Sequence, residues 1–347
     1  MAKPPLGTLW IQSLPSRSPD YIIGIDTAFF NVNHIFKGIK VIPPGIHLFH
    51  YLEGESMRAG WWFEIKDGDI LSIDWDCEQE EFRAKSVDLE KIAQEYPLLV
   101  SYPENHESWL ALTKHIEKSD VVEVGGAFPR TITTATPSKE ENQVLEATLK
   151  EKNPKQTFDD QSTKELNFSI INFKETEREL PHSDAEVTRN ALDRSWQLRQ
   201  LFPSARRLLA EFQMAFAVFL VLANLCSCTQ WTSLLRLVSV SETFLRKNSD
   251  FAIHYLETLL HQLEKIPEEY VGTSELGVVD TKMLVNALEQ LGSIFHGTSR
   301  WQAIEKVCQA RFGFHLKNLV GSFDKENFEV YNIEDHDTDD EDAPAIV

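Results

Sequence analysis

The chain has 347 residues, 42% hydrophobic and 10% aromatic, which is enough for two domains that each bury a core of their own. Its 54 acidic against 34 basic residues give a formal net charge of −20, which repels a phosphate backbone and leaves no counterion release to drive general nucleic-acid binding. The expected partners are therefore proteins, with no direct nucleic acid and no membrane.

Residues 1–20 begin MAKPPLGTLWIQSLPSRSP, broken by prolines and without a continuous apolar region. They read as a flexible N-terminus, neither signal peptide nor membrane anchor. A β-rich, sandwich-like domain is expected over 21–136. Ile22, Ile23 and Ile25 open one strand, Phe29, Phe30 and Val32 another, and Phe36 to Ile42 a third. Pro44 and Gly45 then supply the two corners of a turn, so Ile46 to Tyr51 returns as a strand. Trp61, Phe63 and Ile65 alternate with Trp62 and Glu64, and Asp67-Gly68 predicts a tight hairpin to Leu71, Ile73 and Trp75. Beyond Phe82 the spacing turns helical at Leu89, Ile92, Ala93 and Tyr96, with Ser86 as cap and Pro97 as stop. Trp109, Leu112 and Ile116 predict a second short helix, and Val121 to Val124 before Gly125-Gly126 a strand and turn.

Residues 137–165 form a polar linker, in which Val144, Leu145 and Leu149 allow one helix. An all-α bundle or short solenoid is expected over 166–315, after a strand at Leu166 to Ile170. Ser183 and Glu186 make a capping box for a helix running to Phe202. Leu208, Phe212, Ala215, Phe216, Phe219 and Ala223 mark one face of the next, whose other faces are apolar too, so it must be surrounded. Four further helices follow: one through Trp231 to Val238, one from Ala252 to Leu263, one from Leu284 to Phe295 and one through Ile304 to Cys308. Residues 316–347 are an acidic tail that ends on the apolar Ala343, Pro344, Ala345, Ile346 and Val347. The fold class is thus α+β.

Chemistry finds little support. Asp26-Thr27-Ala28 resembles the Asp-Thr-Gly of an aspartic protease, which shares one proton between two aspartates. Position 28 is alanine, and the other Asp-Thr pairs, at Asp280 and Asp337, fall in a helical region and in the tail, so no enzyme is expected. His47 and His50 lie three apart, which on a strand sends them to opposite faces and argues against a shared metal. Cys77, Cys226, Cys228 and Cys308 lack paired metal spacing; as free thiols they suit the cytosol or nucleus. No cofactor is expected. Ser239, Ser241 and Thr338 stand near acidic residues that an acid-directed kinase would read.

Several motifs resemble one family. FKGIK at 36–40 followed by IPPGIH at 42–47 is similar to the amino-terminal signature of the cistron-splicing factors, the assembly chaperones of the U5 snRNP. Gly24-Ile25-Asp26 stands at that family's GID, and Arg58-Ala59-Gly60-Trp61-Trp62-Phe63 resembles its Arg-x-Gly-aromatic strand. The signature positions are therefore Gly24, Asp26, Gly38, Pro43, Pro44, Gly45, Arg58 and Gly60. In the helical half, Glu211 to Phe216, Gln230-Trp231, His261-Gln262-Leu263 and Ile266-Pro267 resemble further family segments, so the likeness covers roughly residues 20 to 315.

The resemblance implies a non-enzymatic chaperone of two domains on a flexible linker. By that likeness it binds the RNase H-like and Jab/MPN-type domains of the large U5 scaffold protein in the cytoplasm and holds off the U5 helicase. It then enters the nucleus with the precursor particle and is released by phosphorylation. The likeness also makes Ala343 to Val347 a strand added to the partner. A generic adaptor is the alternative reading, and a hydrolase using Asp26 the remote one.

Overall fold

The computed structural model describes residues 6–15, 21–33, 35–53, 57–104, 106–152, 165–175, 188, 190–272 and 277–317. Within these residues eight strands come first and two more fall among the early helices, and together they form two five-stranded sheets. One runs in the order β8 (Glu81–Ala84), β7 (Ile70–Asp76), β1 (Gly7–Ile11), β4 (Gly38–Ile42), β9 (Val100–Ser101). The other runs β10 (Ile132–Thr133), β6 (Ala59–Ile65), β5 (Gly45–Glu53), β2 (Tyr21–Ile25), β3 (Ala28–Asn31). Leu9, Ile11, Ile23, Ile25, Ile39, Phe49, Trp61, Phe63 and Ile73 fill the space between them, as alternation in a sandwich requires.

Two turns differ from expectation in the same way. Asp67-Gly68 does not close a hairpin: β6 pairs with β5 and β10, whereas β7 pairs with β1 and β8 in the opposite sheet. Likewise Pro43-Pro44 carries the chain from β4, paired with β1, to β5, paired with β2 and β6. The turn residues are those of a tight reversal, but each reversal crosses the sandwich. Trp75 therefore meets Tyr51 of the facing sheet, ring centroids 5.9 Å apart, rather than Trp61 at its side. Residues 1–20 also need correction, since Gly7–Ile11 is wholly buried and lies between β4 and β7. Leu9 and Ile11 are core residues, and their burial outweighs the prolines around them.

Helices follow. α1 (Leu89–Glu95) is capped by Asp88, whose side chain accepts from the amides of Glu90 and Lys91, rather than by Ser86. α2 (His106–Thr113) carries Trp109 and Leu112 inward. Residues 121–124, expected as a strand, belong to α3 (Lys118–Gly125), because Val121 and Val124 sit on one helical face and are buried together. α4 (Lys139–Lys152) is the linker's helix, with only Asn142 buried. Residues 166–170 form no strand beyond a single bridge from Leu166 to Ser138. The capping box at Ser183 lies outside the described residues. The helix expected to reach Phe202 is broken at Asp193, whose carboxylate accepts from the amide and hydroxyl of Ser195 and so starts α5 (Ser195–Leu201) afresh.

The remaining helices are α6 (Ala205–Leu222), α7 (Leu225–Ser239), the short α8 (Glu242–Lys247), α9 (Ser249–Lys265), α10 (Thr281–Phe295) and α11 (Ser299–Phe312). As its apolar circumference demands, α6 is surrounded, by α2, α3, α7 and α9. Among the described residues no helix is long and apolar enough to cross a membrane.

Residues 153–164 of the expected linker lie outside the described residues, but the halves on either side of it are in contact. Leu48 and Trp62, on the outer face of the second sheet, share one continuous apolar core with α2, α3 and the helices from α5 onward.

Candidate functional site

Most of the signature residues gather on the second sheet and the turns leading into it, around Asp26, while Gly38 opens β4 of the first sheet. Asp26 stands at φ 59°, a left-handed conformation that aspartate tolerates better than most residues. From there its amide donates to the Leu48 carbonyl at 2.8 Å and its Oδ1 accepts the Leu48 amide at 3.0 Å. Oδ2 accepts the Tyr102 hydroxyl at 2.5 Å and lies 2.8 Å from Nδ1 of His47, whose Nε2 is 2.9 Å from the Pro43 carbonyl. The carboxylate is 0% exposed. A covered group with this many fixed partners supports the fold.

His47 and His50 do take opposite faces, yet both meet Asp26. His50 lies 3.1 Å through Nε2 from the Asp26 carbonyl, and burial holds its imidazole down to about 3, so the ring is neutral and donates. Its ring fills the space above Gly24, and Gly24, His50 and Gly60 are aligned across β2, β5 and β6. A side chain on Gly60 would run into the Phe49 carbonyl. Gly38 and Gly45 have φ of 118° and 148°, which only glycine adopts freely, and a Cβ on Gly38 would strike the Leu9 carbonyl. Among the described residues no three metal-ligating side chains converge.

Arg58, the remaining signature position, works at the seam. Its Nη1 donates to the carbonyl of Val221 at 3.1 Å while Thr134 Oγ1 donates to that of Leu222 at 2.8 Å, so the strand half caps the carboxyl end of α6 with a positive charge. After the left-handed Ala223, the buried side-chain Nδ2 of Asn224 donates to the carbonyls of Thr133, Thr134 and Thr136. The Asn224 Oδ1 accepts from the Ser227 amide at 2.9 Å and caps α7.

The helical-half motifs act similarly. Glu211 accepts the Ser169 amide at 2.8 Å, the Ser169 hydroxyl at 2.9 Å and Gln230 Nε2 at 2.7 Å; burial pushes its carboxyl up while these donors pull it down. Gln213 Oε1 accepts the His115 amide at 2.9 Å, and Trp231 donates to Gln262 at 2.9 Å. Glu211, Gln213, Gln230, Trp231 and Gln262 are buried polar groups that are each hydrogen-bonded inside the helical half.

Of the other sequence candidates, Ser239 and Ser241 are buried. The Ser241 hydroxyl donates to the Leu237 carbonyl at 2.7 Å, and that of Ser239 lies 2.8 Å from the Arg236 carbonyl. Thr338 and Ala343 to Val347 lie outside the described residues.

The periodicity did not reveal a cleft of about 360 Å³ where the free edges of the two sheets meet, lined by Phe29, Phe30, Ile35, Phe36, Leu98 and Val100 with Asn31 and Asn33. Phe29, Ile35 and Leu98 are 50%, 52% and 47% exposed. Both β3 and β9 are sheet edges here, so unpaired backbone borders an apolar floor.

Residues 5–126 match the AAR2 N-terminal domain, and residues 168–317 match the AAR2 C-terminal repeat region. The chain belongs to the AAR2 family. It is 27% identical over 353 residues to the protein named A1 cistron-splicing factor AAR2 of Saccharomyces cerevisiae, covering 94% of each chain. Proteins named AAR2 homolog are also similar: that of Caenorhabditis elegans at 25% identity over 71% of this chain and 76% of its own, and that of Homo sapiens at 24% over 76% and 77%. The two AAR2 domain families meet the two halves joined by Arg58, Thr134 and Asn224.

Proposed function

We propose that this AAR2-family protein acts in pre-mRNA splicing as an assembly chaperone of the U5 snRNP, by binding rather than catalysis. The observation that carries the reading is the match along 94% of both chains to a protein named a cistron-splicing factor. It binds the RNase H-like and Jab/MPN-type domains of the large U5 scaffold protein and keeps the U5 helicase off until phosphorylation releases it. Binding takes place in the cytoplasm, and the protein enters the nucleus with the precursor particle. The internal signature agrees with such a role: residues that serve the fold leave the surface and the tail to meet the partner. Ala343 to Val347 add as a strand, with main-chain hydrogen bonds for affinity and alternate side chains for register.

The test is binding of the full chain to the isolated RNase H-like plus Jab/MPN-type fragment, with and without the residues after Asp340. Tight binding that displaces the helicase supports the chaperone reading, and weakening on truncation assigns a share to the tail strand. Binding unaffected by truncation moves the interface to the folded halves, with the edge cleft as first place to look. No binding at micromolar protein leaves a generic adaptor.

A further inference from the structure

His47 is fully buried with both ring nitrogens against oxygen, and the kinds of oxygen decide its protons. Nε2 lies 2.9 Å from the carbonyl of Pro43, which only accepts, so Nε2 carries a proton. Nδ1 lies 2.8 Å from Oδ2 of Asp26. That carboxyl already accepts the Leu48 amide on Oδ1 at 3.0 Å and the Tyr102 hydroxyl on Oδ2 at 2.5 Å, an arrangement that favours its ionised, acceptor-only form. Nδ1 then carries a proton as well. The alternative, a proton on Asp26 donated to a bare Nδ1, would make a carboxylic hydroxyl oxygen the acceptor for Tyr102, a poorer match at so short a distance.

We infer that His47 is held as an imidazolium, ion-paired with Asp26 inside the sandwich, and that its second proton is the clasp that fixes the Pro43–Gly45 crossing to the β2–β3 turn. A neutral ring serves one of its two oxygens and strands the other. The inference is independent of the splicing reading, since it concerns the fold of this chain alone.

The surroundings are consistent from every side. Phe63 of β6 packs on the ring at 5.6 Å and brings no charge. Tyr102, beyond β9, presents an uncharged hydroxyl, because burial and then the Asp26 charge push its phenol up. His106 of α2 stacks on His47 with centroids 6.0 Å apart and planes 23° apart, and burial draws its own imidazole down. His50, on the opposite face of β5, meets the Asp26 carbonyl as a neutral ring. Asp26 is the one carboxylate bonded to the group among the described residues.

The full chain, labelled with nitrogen-15 in its 11 histidines, tests this by nuclear magnetic resonance at pH 7.0. His47→Gln assigns the His47 signals by their loss. The expected result is a directly bonded proton on both His47 ring nitrogens, against one bare nitrogen on His50. In Asp26→Asn, with the anion removed, His47 is expected to revert to one proton, kept on Nε2. A bare ring nitrogen on His47 in the unsubstituted protein overturns the inference, and that measurement stands even where either variant fails to fold.

Discussion

The His50 imidazole occupies the volume that a side chain on Gly24 would need: a Cβ there would overlap Cε1 and Nε2 of the ring and lie 2.5 Å from the Ala28 carbonyl. One obstacle is a ring pinned by its bond to Asp26 and the other is backbone, so neither yields cheaply. Gly24→Ala is expected to lower stability by about 1–3 kcal/mol, the cost of overpacking a filled site. Gly125→Ala is the control, because its Cβ would meet only Ile132 and Trp62 at 3.5 and 3.8 Å. Urea unfolding of both variants checks the contrast, and equal midpoints would remove His50 as the reason for the glycine.

Across the seam, Asp120 of α3 receives Arg206 at 2.6 and 3.1 Å and Arg207 at 2.6 Å from α6. Burial opposes the Asp120 charge, yet the two guanidiniums hold its carboxyl below the usual range. Asp120→Ala removes the buried carboxylate between the two guanidiniums but leaves Arg206 beside Glu117 and Arg207 beside Glu123, so a loss of about 1–3 kcal/mol is expected. The shared core predicts that wild type and variant each unfold in one transition, followed by tryptophan fluorescence and far-ultraviolet circular dichroism together. Separate transitions would restore two independent domains.

How much of this was legible depended on distance along the chain. Alternation at Trp61 to Ile65 assigned inward and outward faces correctly, since strand geometry is local, and the apolar circumference of α6 required burial on all sides. What local pattern lacks is the identity of the partner. Asp67-Gly68 specifies a sharp turn whether its arms pair side by side or face each other across a sandwich, and here they face. The His47–Asp26–Tyr102 contacts join residues 21 and 76 positions apart, so only the assembled sheets bring them together. The seam was hidden for the same reason: Arg58 reads as a strand residue until Val221 lies beside it.

Acid should destabilise the fold in two ranges. His50 is drawn down to about 3 by burial, and His115 to about 4 by burial and then by Lys114 and His254. Unfolded histidines bind protons below about 6.5, where these folded ones remain neutral, so the unfolded state holds more protons and stability falls as pH drops from about 6.5. A second loss sets in within the usual carboxylate range, at about pH 4, where unfolded aspartates take up protons that Asp120 and Asp193, both held low, still refuse, and it is complete once those two are protonated. Unfolding midpoints between pH 7.5 and 4.5 should fall, and fall less steeply in His50→Gln, whose amide can still donate to the Asp26 carbonyl. An unchanged slope would move the acid response elsewhere.

The proposed release by phosphorylation meets a physical obstacle at Ser241. Its side chain is covered, its hydroxyl bonds back to Leu237, and its own amide donates to the Val238 carbonyl at the α7–α8 corner. A phosphate of about −1.5 to −2 charges on this covered hydroxyl would have to displace the packing around it. Ser241→Ala removes one hydrogen bond and should cost about 1 kcal/mol. Ser241→Asp buries a carboxylate without a designed partner and should cost about 3 kcal/mol or more, in the range of an uncompensated buried charge. Thermal unfolding separates the two, and scaffold binding shows the consequence. If Ser241→Asp weakens binding in proportion to its instability, modification there acts by opening the bundle. If it weakens binding at undiminished stability, the corner reorganises to expose residue 241. If both properties are unchanged, Ser241 is not the release site and Thr338 becomes the next residue to substitute.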